Sequence, residues 1–194
     1  MRLRRKNRRA MATVSRDITV FSSPREPHRG LLRCGALILR CALGRSGVTH
    51  MKREGDGATP VGRLKLMSLT VRPDRMRPRS AVPMLSLRRN DGWCEAPRHG
   101  SYNRPIRLPS SAGHDSMWRD DHLYDIVGVL DWNISPRVSG RGSAIFLHLA
   151  RPGYRPTAGC IALSRRDLGL LLRAAGRHPC FLVRAKPRKG SRGA

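Results

Sequence analysis

The apolar residues of this chain come in short runs ended by glycine or proline, and that spacing constrains the fold more than any other feature. Asp17–Phe21 (DITVF) alternates and is β-branched, and a polar, proline-containing turn, SSPREPHRG, follows it. Ala36–Leu43, Leu64–Val71, Leu123–Leu130 and Cys180–Val183 have the same strand character, and Gly159–Leu163 reads as a strand or its start. Ser143–Leu149 (SAIFLHL) is almost continuously apolar, which predicts a central strand buried on both faces. Residues 73–120 mix proline, glycine and arginine and predict long loops around short strands. One segment has a helical period. Ser164 suits an N-cap, Asp167 suits the positive N-terminal end, Leu168, Leu171, Leu172 and Ala175 share a face, and Gly176 suits the stop. The expectation is a mainly-β domain, a sandwich or open barrel, with one packing helix after Cys160.

The strand-like segments delimit one domain over residues 17–184. Residues 1–16 and 185–194 are basic with little apolar to bury, and are expected to be disordered tails. Met11 opens a more ordinary sequence than Met1, an alternative start. No run of about 18 apolar residues predicts a membrane span, and no apolar stretch after the basic N-terminus marks a secretory signal. The net charge of +26 is almost all arginine and is spread along the chain. Such a surface suits a polyanion, whether nucleic acid, an anionic membrane or an acidic wall polymer. Charge alone selects none of them.

The five cysteines include no C-x-x-C pair, which argues against a zinc knuckle or a thioredoxin-type site. Cys34, Cys41 and Cys180 sit in apolar strands and read as core. Cys160 differs. His148 ends one apolar strand, and Cys160 follows Gly159 at the start of the next, twelve residues on. A tight link between neighbouring strands can bring the two together. A free thiol is only a few per cent thiolate at neutral pH. A neighbouring imidazole can take its proton, hold a thiolate–imidazolium pair and later protonate a leaving amine. Gly159 lets the backbone bend and a substrate carbonyl approach, and N–H groups at 159–161 suit an oxyanion hole. The competing reading is a small buried cysteine and a hydrogen-bonded strand-end histidine, both structural.

The stretch His148 … Thr157-Ala158-Gly159-Cys160-Ile161 resembles the catalytic motif of the L,D-transpeptidase (YkuD-type) family. Gly57-Ala58-Thr59-Pro60-Val61-Gly62 is similar to the family's upstream Thr-Pro-x-Gly turn. The resemblance implies that Cys160 attacks the carbonyl of the third residue of a peptidoglycan tetrapeptide stem, expels D-alanine and passes the acyl group to an amine. His148 would shuttle the protons, oriented by a main-chain carbonyl that Leu149 can supply. It further implies a cell-envelope location and acylation of Cys160 by carbapenems; with no export segment visible, the cytoplasm stays open. Three positions depart from the family pattern: Leu149 replaces Gly or Ser, Ala158 replaces His, and Ala162 replaces Arg. Gly159, Thr157 and Arg141 are the candidate oxyanion and substrate-binding residues, with Arg151 and Arg155 as other stand-ins for the missing guanidinium.

No cofactor and no metal are expected. Asp120-Asp121-His122 has metal-ligating residue types but reads as a solvated turn, and Trp93, Trp118 and Trp132 read as packing residues. The expected partner is the peptidoglycan stem, with acidic wall polymers on the basic surface and no dedicated nucleic-acid site. The same chemistry with water as acceptor, a carboxypeptidase, is the nearest rival. A basic nucleic-acid-binding protein with structural Cys and His is the rival from another class.

Overall fold

The computed structural model describes residues 17–185, so the basic segments 1–16 and 186–194 lie outside the described residues. In chain order the strands are β1 (Asp17–Ser22), β2 (Arg29–Cys34), β3 (Leu37–Ala42), β4 (Val48–Thr49), β5 (Thr59–Pro60), β6 (Gly62–Val71) and β7 (Met84–Ser86). Then come β8 (Asp91–Cys94), β9 (Arg104–Arg107), β10 (His114–Ser116), β11 (Ile126–Leu130), β12 (Phe146–Leu149) and β13 (Ile161–Leu163). Helix α1 (Arg165–Ala174) and β14 (Cys180–Arg184) complete the domain. The main sheet runs β11-β12-β13-β3-β2-β1-β14-β6-β7, and β6 also pairs with β11, so the strands from β11 round to β6 close into a barrel. Closure removes the sheet edges that would otherwise need protection. The mainly-β expectation is borne out, with the ring closed rather than open.

Two departures from the sequence reading have physical causes. Strand β2 was absent from it, because only Leu31 and Leu32 are strongly apolar there. Its inward positions are Gly30, Leu32 and Cys34, while Arg29, Leu31 and Arg33 face out. Strand β6 does not alternate throughout. Leu64 and Leu66 point in, but so do Leu69 and Val71, and the pairing with β11 slips between Val129 and Leu130. A bulge at exposed Met67 absorbs the phase change.

The barrel strands near the helix are buried on two faces, each against a different cluster. Leu147 and Leu149 of β12, Ile161 and Leu163 of β13, and Ile126 and Leu130 of β11 join the main core with Leu168, Leu171 and Leu172 of α1. Ser164 caps that helix, its Oγ accepting from the Asp167 N–H at 3.1 Å, and Gly176 follows the end with φ +77°. The alternate residues Phe146, Val127 and Cys160 face outward into a second cluster with Trp93, Met117, Leu123 and Tyr124. The three-stranded sheet β10-β8-β9 carries Trp93 and covers this face. Trp93 and Tyr124 both pack edge-on against the Phe146 ring, at 5.1 and 5.9 Å between centroids.

Candidate active site

Strands β12 and β13 are parallel neighbours, with His148 opposite Ala162. Side chains alternate along a strand, so Cys160, two residues before Ala162, lies on the same face as His148 and diagonal to it. The departure at Ala162 therefore leaves the position beside the imidazole small. Both candidate residues are buried, His148 at 6 % and Cys160 at 8 % exposure.

Gly159 and Cys160 rest on the upstream Gly-Ala-Thr-Pro turn, which gives the two motifs a common cause. Gly159 has φ +139°, and a Cβ there would come within 2.8 Å of the Ala58 carbonyl oxygen. Gly44 is held as closely, its missing Cβ 2.2 Å from the Gly57 carbonyl. The Thr157 N–H donates to Leu43 O, the Arg45 N–H donates to Thr157 O, and the Gly44 N–H donates to buried Thr59 Oγ1, each at 2.9 Å. Thr157 also folds its hydroxyl under the turn, donating to Cys160 O at 2.7 Å and accepting from the Gly159 N–H at 3.1 Å. In this geometry Thr157 shapes the backbone, and the Gly159 donor is already engaged.

His148 Nδ1 lies 2.8 Å from the Leu149 carbonyl oxygen. A carbonyl can only accept, so Nδ1 carries the proton and Nε2 is left as the basic nitrogen. The Tyr124 ring packs edge-on against the imidazole at 5.4 Å. The Cys160 thiol donates to Ala144 O at 3.2 Å and accepts from the Phe146 N–H at 3.4 Å; the imidazole is not among its hydrogen-bond partners. Burial pushes the thiol up to about 12 and the imidazole down to about 4. The resting site thus holds a neutral thiol beside a neutral imidazole, rather than the ion pair the residue types suggest. The low dielectric that opposes charge before substrate arrives is the cause.

Several residues of the site carry no signal in the sequence. Ala144, whose carbonyl accepts the thiol hydrogen bond, has φ +51°, uncommon for a residue with a side chain. Buried Asn103 holds it there. Its Oδ1 accepts from the Ala144 N–H at 3.0 Å and from Trp93 Nε1 at 3.1 Å, while its Nδ2 donates to Trp132 O and Asn133 O. Cys160 opens into a cavity of about 230 Å³ that Glu54, Glu95, Asp115, Arg45 and Lys52 also line. Arg141 is not on that wall; its carbonyl accepts from Trp132 Nε1 at 2.8 Å. Arg151 and Arg155 border a separate cavity of about 340 Å³ beside Leu149.

The remaining candidates fall outside this arrangement. Asp121 pairs with Arg119 at 2.6 Å, and His122 Nδ1 lies 3.0 Å from Asp125. No group of three or more metal-ligating side chains occurs among the described residues. Trp118 stacks beneath the Arg72 guanidinium at 3.6 Å. Cys34, Cys41 and Cys180 are buried.

A model of the L,D-transpeptidase catalytic domain, YkuD, matches residues 17–175. The chain belongs to this family. Among solved structures it is similar to Mycobacterium tuberculosis L,D-transpeptidase 1, with 15 % identity and a TM-score of 0.36, over 87 % of this chain and 62 % of that one. The chain therefore spans less than two thirds of that protein's length. No curated protein matches the sequence. No described helix of this family member is long and apolar enough to cross a membrane.

Proposed function

We propose that the protein is a cysteine-dependent L,D-transpeptidase acting on peptidoglycan tetrapeptide stems in the cell envelope, with Cys160 as nucleophile and His148 as general base. The observation that carries this reading is the Nδ1 hydrogen bond to Leu149. It fixes the imidazole tautomer with a free basic Nε2 on the face that also bears Cys160. His148 Nε2 takes the thiol proton as Sγ bonds to the carbonyl carbon of the third stem residue. The peptide C–N bond to D-alanine then breaks, and the imidazolium returns its proton to the leaving amine. An acceptor amine attacks the thioester, the C–S bond breaks, and the amine's proton passes through His148 back to the thiol. The Cys160 N–H is the donor we assign to the oxyanion, since the Gly159 N–H is tied to Thr157.

Because the resting pair is neutral, proton transfer accompanies attack and does not precede it. The test is incubation with a tetrapeptide stem followed by intact-mass analysis. A tripeptidyl adduct on Cys160, with one D-alanine released per adduct, is expected. D-Alanine release that persists in Cys160→Ala would overturn the assignment.

One observation favours water as acceptor. The cavity at Cys160, about 230 Å³, lies below the roughly 300–1,000 Å³ of typical ligand pockets and leaves little room for a second stem. A carboxypeptidase would form the same thioester and release free tripeptide.

A further inference from the structure

The outward face of β3, β2, β1 and β14 is not the polar exterior expected of a solvated sheet. Register sets its side chains in rows across the strands. One row reads Arg40, Leu31, Phe21, Arg184, and the next reads Ile38, Arg33, Thr19, Leu182. Phe21, Leu31 and Ile38 are exposed at 42, 50 and 67 %. Single exposed apolar residues are ordinary, but these share one face, and Phe21 lies directly opposite Leu31.

The charge on the face is one-sided. Its acidic neighbours are already engaged: Asp17 pairs with Arg63 at 3.0 Å, and Glu26 pairs with Arg29 at 3.3 Å. Arg33, Arg40 and Arg184 form no ion pair among the described residues. A groove of about 530 Å³ opens beside Phe21 and Leu31, with Arg29, Arg40 and Tyr154 on its walls. The segments joined to β1 and β14, residues 1–16 and 186–194, contain arginine and lysine and no acidic residue.

Three occupants compete, and their chemistry separates them. A second copy of this chain, docked by the same face, would set these guanidiniums against each other. A water-soluble polyanion would pair with the arginines and leave Phe21, Leu31 and Ile38 in water. An anionic bilayer answers both features, because phosphates take the guanidiniums while apolar side chains enter the boundary between headgroups and acyl chains. We propose that this face docks the protein on an anionic lipid bilayer, with Arg33, Arg40 and Arg184 on the phosphates and Phe21, Leu31 and Ile38 in the interfacial layer. The consequence is orientation. Strand β1 lies four strands from β12 in either direction round the ring, so docking here turns the outward face that bears His148 and Cys160 away from the bilayer.

The test is sedimentation of the full chain with vesicles of phosphatidylcholine alone and of phosphatidylcholine with about one third phosphatidylglycerol. Partition onto the anionic vesicles should be roughly 10-fold or more stronger, and should fall as salt is raised. Arg40→Gln/Arg184→Gln should lower it by roughly 10–25-fold, at up to about five-fold for each cation near the surface. Arg98→Gln/Arg104→Gln removes exposed cations of the β8–β9 hairpin and should stay within about 3-fold of wild type, because those charges lie beyond a screening length. Phe21→Thr/Leu31→Thr keeps strand propensity and should also lower partition, by roughly 10-fold or more. Equal partition onto neutral and anionic vesicles would overturn the inference, as would a loss in the hairpin variant equal to that in Arg40→Gln/Arg184→Gln. Anionic-vesicle binding undiminished in Phe21→Thr/Leu31→Thr would give the face to a soluble polyanion instead. A dimer of the lipid-free protein that Phe21→Thr/Leu31→Thr abolishes would give it to a second copy. The wild-type comparison of vesicles needs no variant, so a folding defect in any of them leaves the first criterion in force.

Discussion

The two residues to which we assign the chemistry, His148 and Cys160, were legible as residue types, but the burial that sets their protonation was not. A histidine at a strand end and a cysteine after glycine point to a nucleophile and its base; burial on both sides of β12 then decides that neither is charged at rest. Cys160→Ala should abolish the adduct with a carbapenem or a stem peptide. His148→Ala should keep the thiol and slow acylation by about 10²–10⁴-fold, the usual worth of a positioned base. The neutral pair adds a test of its own. Iodoacetamide at pH 7 should label Cys160 slowly, on the scale of Cys41, whose thiol burial also pushes up to about 12. Rapid labelling of Cys160 below pH 8 would show a resting thiolate and contradict the neutral pair. Stability carries the same signature. The fold holds His148 near 4 against about 6.5 when unfolded, so between those values the unfolded chain binds the extra proton and stability falls as pH drops. Glu95, raised in the fold, acts with the opposite sign over part of that window. The clean measurement is therefore the difference in unfolding free energy between wild type and His148→Gln at pH 5 and 7.5. Wild type should lose more on acidification, and equal losses would refute a buried neutral imidazole.

At the scale of elements, what sequence shows is what local pattern encodes. Helix α1 was readable from Ser164 to Gly176 because cap, apolar stripe and stop are all local signals. Strand β2 was not, because its inward face includes Gly30 and Cys34 and only the barrel gives them neighbours. The lid over the site was illegible for a related reason. Residues 91–116 form very short strands that Trp93 anchors by stacking edge-on against Phe146, fifty-three positions away. Asn103 joins that lid to the catalytic face, and nothing in its neighbourhood of the sequence marks it. Its side chain satisfies the Trp93 indole, the Ala144 N–H and two carbonyls at once. Asn103→Ala should leave buried Trp93 and Ala144 donors unpaired, costing roughly 1–3 kcal/mol for each group left unsatisfied. Ala144 would lose the contact that holds its positive φ, and its carbonyl would release the thiol. The expected outcome is a lower denaturant midpoint together with a changed acylation rate. A midpoint within about 0.5 kcal/mol of wild type would show that Asn103 does not hold the lid.

For the whole molecule, the barrel ladder closes within residues 17–184 and the main core lies inside that span, so a chain of residues 11–185 should melt within about 5 °C of the full chain. A larger drop would mean that a terminal segment packs on the domain. The acceptor is also decided at this scale, because a transpeptidase must admit two stems where a hydrolase admits one. The cavity at Cys160 is small and charged, which suits a single donor end. A second cavity, of about 340 Å³, borders Leu149, the residue whose carbonyl holds His148, and Arg151 and Arg155 line it. An acceptor stem seated there would have its carboxylates facing two guanidiniums. On this geometry a donor tetrapeptide supplied with a second stem amine should yield cross-linked dimers in proportion to amine concentration. Arg151→Ala/Arg155→Ala should lower the dimer yield and leave thioester formation on Cys160 intact. Free tripeptide as the sole product at every amine concentration would make the enzyme a hydrolase, with water reaching the thioester through the same opening.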